Sequence, residues 1–117
     1  MVSSAERARR LLDYFRSPRL KIILDPANLF PEGTLGRMRE ILTNAFELLG
    51  PEIALAHAKD LDHDGEAGQL PAGQGVLDYG LYAELLRKID YRGAIILHGL
   101  PEEAVPAALA HLRRHMD

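Results

Sequence analysis

Ile53-Ala54-Leu55-Ala56-His57-Ala58-Lys59-Asp60 is the stretch whose reading decides the fold. A four-residue apolar run bounded by polar residues is too short for a buried helix and fits a strand buried on both faces. Its apolar run ends in an imidazole, followed closely by an ammonium and a carboxylate. Two other stretches share the plan: Lys21-Ile22-Ile23-Leu24 ends in Asp25, and Ala94-Ile95-Ile96-Leu97 ends in His98. Three apolar strands, each capped by a residue able to bind metal or move protons, point to a parallel α/β sheet. In such sheets functional groups gather at the carboxyl edge of the strands.

The segments between these strands read as helices. Ser3-Ser4-Ala5-Glu6 has the form of a capping box in which Ser3 and Glu6 satisfy each other's backbone donors. Ala5, Ala8, Leu11, Leu12 and Phe15 follow at helical spacing, until Ser17-Pro18 stops the helix. Arg7, Arg9, Arg10, Arg16 and Arg19 fit a solvated basic face. A second helix is expected to carry Leu35, Met38, Leu42, Ala45 and Leu49, with Gly50 in a left-handed cap and Pro51 forbidding continuation. A third carries Tyr82, Leu85, Leu86 and Ile89. Proline inside a helix costs about 3 kcal/mol, so the last helix is expected to begin at Pro106, after a short turn, with Leu109 and Leu112 inward. His111 and His115 fall in its polar end and read as surface residues or partners of the helix dipole.

Residues 59–76 form the longest irregular segment, a length more often functional than incidental. Asp62, His63 and Asp64 lack the ligand spacing and closing glutamate of an EF-hand. Gly73-x-Gly75 lacks a third glycine and follows no strand, so it is weak evidence for dinucleotide binding. Lys59 and Asp60 are read either as a pair at the mouth of this loop or with Lys59 reaching an anionic substrate.

The chain of 117 residues fits one domain, 1–117. A net charge of −3 gives no reason to expect nucleic acid or an anionic membrane as partner. The absence of cysteine excludes disulfides and thiolate metal sites. No apolar run approaches the roughly 18 residues of a membrane span, and the charged helical start does not read as a signal peptide. A cytoplasmic protein is the expectation.

If the three strands are parallel neighbours in register, Asp25, His57 and His98 share one rim. A carboxylate with imidazoles suits manganese, cobalt, zinc or, less well, magnesium. Such an ion polarises a carbonyl during removal of a neighbouring proton, or activates water for phosphodiester hydrolysis. Asp25, ahead of Pro26, could instead simply open a turn through its side chain. Asn28 is read as a ligand-facing amide or a loop hydrogen-bonder.

Leu24-Asp25-x-x-Asn28, His57-x-Lys59-Asp60, Gly73-x-Gly75-x-x-Asp78-Tyr79 and Tyr91-x-Gly93, in this order, resemble the xylose isomerase-like TIM barrels, which include sugar phosphate isomerases and epimerases and endonuclease IV. The resemblance runs over nearly all of residues 5–115, and the strand-end residues recur near the roughly 31 residues per unit of an eightfold barrel. It implies an α/β chain equivalent to the sixth to eighth strands of the barrel, preceded by one helix. By resemblance Asp25 takes the sixth-strand metal role and His57 the seventh. His98 stands where the family commonly has a glutamate, and is expected to serve as a third ligand or as the catalytic proton carrier. Asn28 replaces a frequent histidine ligand; with Lys59 it is expected to contact substrate. The implied function is metal-assisted isomerisation or epimerisation of a sugar or sugar phosphate. The alternatives are a non-catalytic fragment or assembly module and, third, a metal-dependent phosphodiesterase. Three parallel strands cannot close a barrel, so the chain is expected to be a fragment or to complete itself by association, and to be marginal or oligomeric in isolation.

Overall fold

Three short strands, β1 (Ile22–Leu24), β2 (Ile53–Ala58) and β3 (Ile95–Leu97), lie side by side in that order, all parallel. They alternate with four helices: α1 (Ala5–Phe15), α2 (Met38–Leu49), α3 (Tyr79–Lys88) and α4 (Val105–Met116). The computed structural model describes residues 4–117. Strand positions and parallel order agree with the sequence reading.

Period-two alternation divides each strand between two environments. Leu24, Ala56 and Ala58 are buried beneath the helical layer, while Ile23 is 57% exposed and Ile96 is also exposed. Burial on both faces of β2 is therefore not what the structure shows: helices cover one face and the other is open. Between Ile22 and Ile23 the register slips so that Ile22 pairs with Ile53 and Ile23 with Leu55, passing over Ala54. This bulge explains the exposure of Ala54 within an apolar run.

The helices bury narrower stripes than their sequences suggest. In α1, Ala5, Ala8 and Leu12 are buried, whereas Leu11 and Phe15 are exposed. Ser3 lies outside the described residues. Ser4 is the N-cap, accepting from the Arg7 amide at 3.2 Å, and Glu6 instead accepts from Asn44 Nδ2 at 2.7 Å. Leu35 falls in a 3-10 turn before α2, and Phe46 joins the buried set. Gly50 is not left-handed. Its φ of −42° and ψ of −57° are helical, and it opens a 3-10 turn through Pro51. A β-carbon at Gly50 would meet Ile89 Cγ2 at 3.0 Å, so the small residue there allows close packing against the end of α3. In α4 Pro106 lies in the first turn, after a 3-10 turn at Glu102–Ala104. Ala108 and Leu112 are the buried residues, and Leu109 faces outward, because a short helix over one sheet edge covers only a narrow stripe.

Candidate metal and proton-transfer site

The open face of the sheet runs directly into the candidate site. Continuing the alternation, Ile23 leads to Asp25, Leu55 to His57 and then Lys59, and Ile96 to His98. Parallel order in register brings these four side chains to one rim. One oxygen of each carboxylate or nitrogen of each imidazole of Asp25, His57 and His98 lies within 4.8 Å of the others.

Asp25 Oδ2 is the focus. Lys59 Nζ stands at 3.2 Å, His57 Nδ1 at 3.4 Å and His98 Nδ1 at 3.8 Å. Asp25 precedes a 3-10 turn at Pro26–Asn28, but its side chain makes no capping bond. The carboxylate thus turns into the site, not into the turn. Its other oxygen, Oδ1, is buried without a hydrogen-bond partner, and a buried carboxylate oxygen left so is costly. A carboxylate with a spare buried oxygen beside two imidazoles fits a divalent cation by donor chemistry.

The two imidazoles are stacked, with ring centres 4.4 Å apart and planes 21° apart. A metal ion lies in the plane of each ring that binds it, and nearly parallel stacked planes share no such point. One ring must therefore turn for both to ligate. His98 is the ring with room, its side chain 52% exposed against 19% for His57.

Lys59 and Asp60 do not pair with one another. The Lys59 side chain is 7% exposed and held by Asp25. Asp60, 1% exposed, turns the other way. Its Oδ1 accepts from the Leu61 and Leu77 amides and its Oδ2 from the Gly73 amide, at 2.9–3.0 Å. Its backbone exchanges two hydrogen bonds with Leu70. This one carboxylate gathers the long loop back onto the end of β2. Glycine is required where the loop closes: a β-carbon at Gly75 would collide with Leu61 O and Asp60 Oδ1.

Asn28 uses its side-chain oxygen to accept from the Gly68 amide at 3.1 Å, joining the loop after β1 to the loop after β2. It also lines a cleft of about 320 Å³ shared with Asp25, His57, His98 and the start of α1. Asp64 Oδ2 accepts from the Leu35 amide at 2.9 Å, and such backbone donors hold its carboxyl below the usual range. His63, between Asp62 and Glu66 on the surface, is pushed up by the Asp62 hydrogen bond foremost.

Two tyrosines that sequence reasoning left without a role in the site brace β2 from below. Tyr82 donates to the His57 carbonyl at 2.9 Å and Tyr79 to the Lys59 carbonyl at 2.7 Å. Burial pushes both phenols up from their ordinary value. The available signals were the place of Tyr79 in the motif after Gly73-x-Gly75 and a spacing of three on one helix face, which a core stripe shares.

The profile described as Xylose isomerase-like TIM barrel matches residues 1–115. The chain belongs to this family, and its fold is three successive strand–helix units of the barrel in one open sheet. Among solved structures it is similar to a xylose isomerase domain protein from Planctomyces limnophilus, with a TM-score of 0.71 and 24% identity. That likeness covers 95% of this chain and 41% of that one, so the chain spans about two fifths of the length of the structure it matches. No curated protein matches it. Among the described residues no helix is long and apolar enough to cross a membrane.

Proposed function

We propose that this chain supplies the metal-binding and proton-moving rim of a sugar or sugar phosphate isomerase or epimerase. The observation that carries the reading is the convergence of Asp25, His57 and His98 within 4.8 Å at the carboxyl ends of three parallel strands. Asp25 and His57 would hold a divalent ion, with manganese, cobalt, zinc and magnesium the candidates. The ion would polarise a substrate carbonyl and so acidify the neighbouring carbon–hydrogen bond. His98, half exposed beside the cleft, serves as third ligand or as the group that takes the proton and returns it. Asn28 offers its amide to substrate hydroxyls from the cleft wall. Lys59 shares Asp25, so its ammonium serves substrate oxygens only when released from that carboxylate. The cysteine-free composition suits a reducing compartment, and the cytoplasm is the location in this reading.

The open face carrying Ile23 and Ile96 favours a second reading, an assembly module that is completed by self-association or by further barrel strands. In that reading the strand-end residues act only after assembly, or not at all.

Calorimetric titration of the chain with manganese, beside a His57→Ala control, tests the first reading. Micromolar binding that the control loses supports it. No binding, or binding the control retains, sinks it for the chain by itself and leaves the module.

A further inference from the structure

A second pair of imidazoles lies away from the strand-end rim, in the helical layer. His111 and His115 occupy one face of α4 at a spacing of four, within its last two turns. Both are half-buried. Their ring centres are 5.0 Å apart and their planes cross at 62°. Both rings border Tyr79, His111 edge-on at 5.0 Å and His115 tilted at 6.4 Å.

We propose that His111 and His115 form a chelating site for one borderline first-row ion, zinc, nickel or copper(II), with water completing its coordination. A metal–nitrogen bond of about 2.0–2.1 Å, extended by roughly 1.1 Å to the ring centre, puts each centre about 3.2 Å from a shared ion. For ligand angles of about 90–110° the two centres then stand about 4.5–5.2 Å apart. The observed separation lies inside that range. The planes of this pair cross at 62°, edge toward face, where those of His57 and His98 are stacked at 21°, so the two pairs differ in geometry.

The pair is held in place before any ion arrives. Gly73 leaves the space that His111 fills: a β-carbon there would lie 2.8 Å from Cγ and 3.1 Å from Nδ1 of that ring. Arg87 Nη2 donates to the His115 carbonyl and fixes the last turn of α4 against α3. Burial, with the neighbouring His115 and Arg114, lowers the His111 pKa. Arg113 and Arg114 lie in the same turn and oppose a cation, while the carbonyl end of the helix favours one. Ligands of this kind select ions by softness and availability, so hard ions such as magnesium are excluded.

The test uses the full chain carrying His57→Ala, which leaves the helix pair as the site under study. Zinc alone is titrated calorimetrically into this protein and into the same chain with His115→Asn or His111→Asn added. One ion per chain at micromolar affinity, weakened at least tenfold by either asparagine, supports the site. No zinc binding in the His57→Ala chain, or binding indifferent to both asparagines, overturns it. Circular dichroism of each variant separates loss of ligand from loss of fold. If an asparagine variant unfolds, broadening of the His111 and His115 ring resonances by nickel in the His57→Ala chain decides instead. Broadening that among the imidazoles singles out those two supports the site, and its absence overturns it. Neither result depends on manganese binding at the strand ends.

Discussion

Lys59 Nζ lies 3.2 Å from Asp25 Oδ2, and both side chains are nearly buried, at 7% and 11% exposure. The ammonium occupies the oxygen that a divalent ion would also seek, so the two compete for one carboxylate. Replacing Lys59 by Met leaves Asp25 shielded from water with only the imidazoles beside it. Breaking a buried pair from one side costs about 3–5 kcal/mol, and the residual exposure brings the expected loss to about 2–3 kcal/mol. Urea unfolding midpoints measure it. The double variant Asp25→Leu with Lys59→Met should recover at least half of that loss, and equal losses in single and double variants would contradict the pairing.

Asp60 gathers three backbone amides with one carboxylate, and an amide side chain cannot do the same. In Asp60→Asn one of the two terminal atoms becomes a donor and faces a donor. A buried donor left without its acceptor costs about 1–3 kcal/mol. The expected signature is faster hydrogen exchange at Gly73 or Leu77 together with a lowered midpoint. Unchanged exchange at both would mean that the loop is held by other contacts.

The alkaline limb of stability should report Tyr79 and Tyr82. Desolvation is the main cause of both raised values, with the Asp60 charge second for Tyr79 and its neighbour Tyr79 second for Tyr82. An unfolded tyrosine releases its proton near about pH 10, while these two keep theirs in the folded chain. Their contribution is therefore fully present below about pH 10 and is lost as the pH rises beyond it. Phenolate absorbance from these two residues should grow together with loss of helical signal. Ionisation of both while the chain stays folded would refute the burial argument.

Ile23 and Ile96 stand on the uncovered face of the sheet. If that face is completed by a second copy, sedimentation should show concentration-dependent association, and Ile23→Glu should weaken it at least tenfold. A compact monomer that persists at high concentration, with Ile23→Glu indistinguishable, would remove self-association from the assembly reading.

Much of this architecture was legible in the residues. Three apolar runs ending in Asp25, His57 and His98 gave the strands and their common rim, because side-chain alternation and parallel connection leave few other arrangements. Pro106 marked the start of α4 because its ring is tolerated only in the first turn. Other features were not legible. Leu11, Phe15 and Leu109 have the spacing of core residues yet face solvent, since spacing defines a helix face and not the extent of what covers it. Gly50 reads as a left-handed cap, but its backbone is helical and what it packs closely against is Ile89, distant in sequence.

The site divides in the same way. Sequence by itself determined which chemical groups end the strands, because the polar residue after each apolar run is a local fact. Only the tertiary structure decided which of them meet. Lys59 and Asp60 are neighbours in the chain, but successive side chains of an extended backbone point to opposite faces. One therefore closes on Asp25 while the other binds the loop. His111 and His115 were likewise read, from their place in the last turns alone, as surface residues or partners of the helix dipole. It is the fold that seats them around Tyr79 with their planes crossed, because α3 and α4 pack together through residues far apart in the sequence.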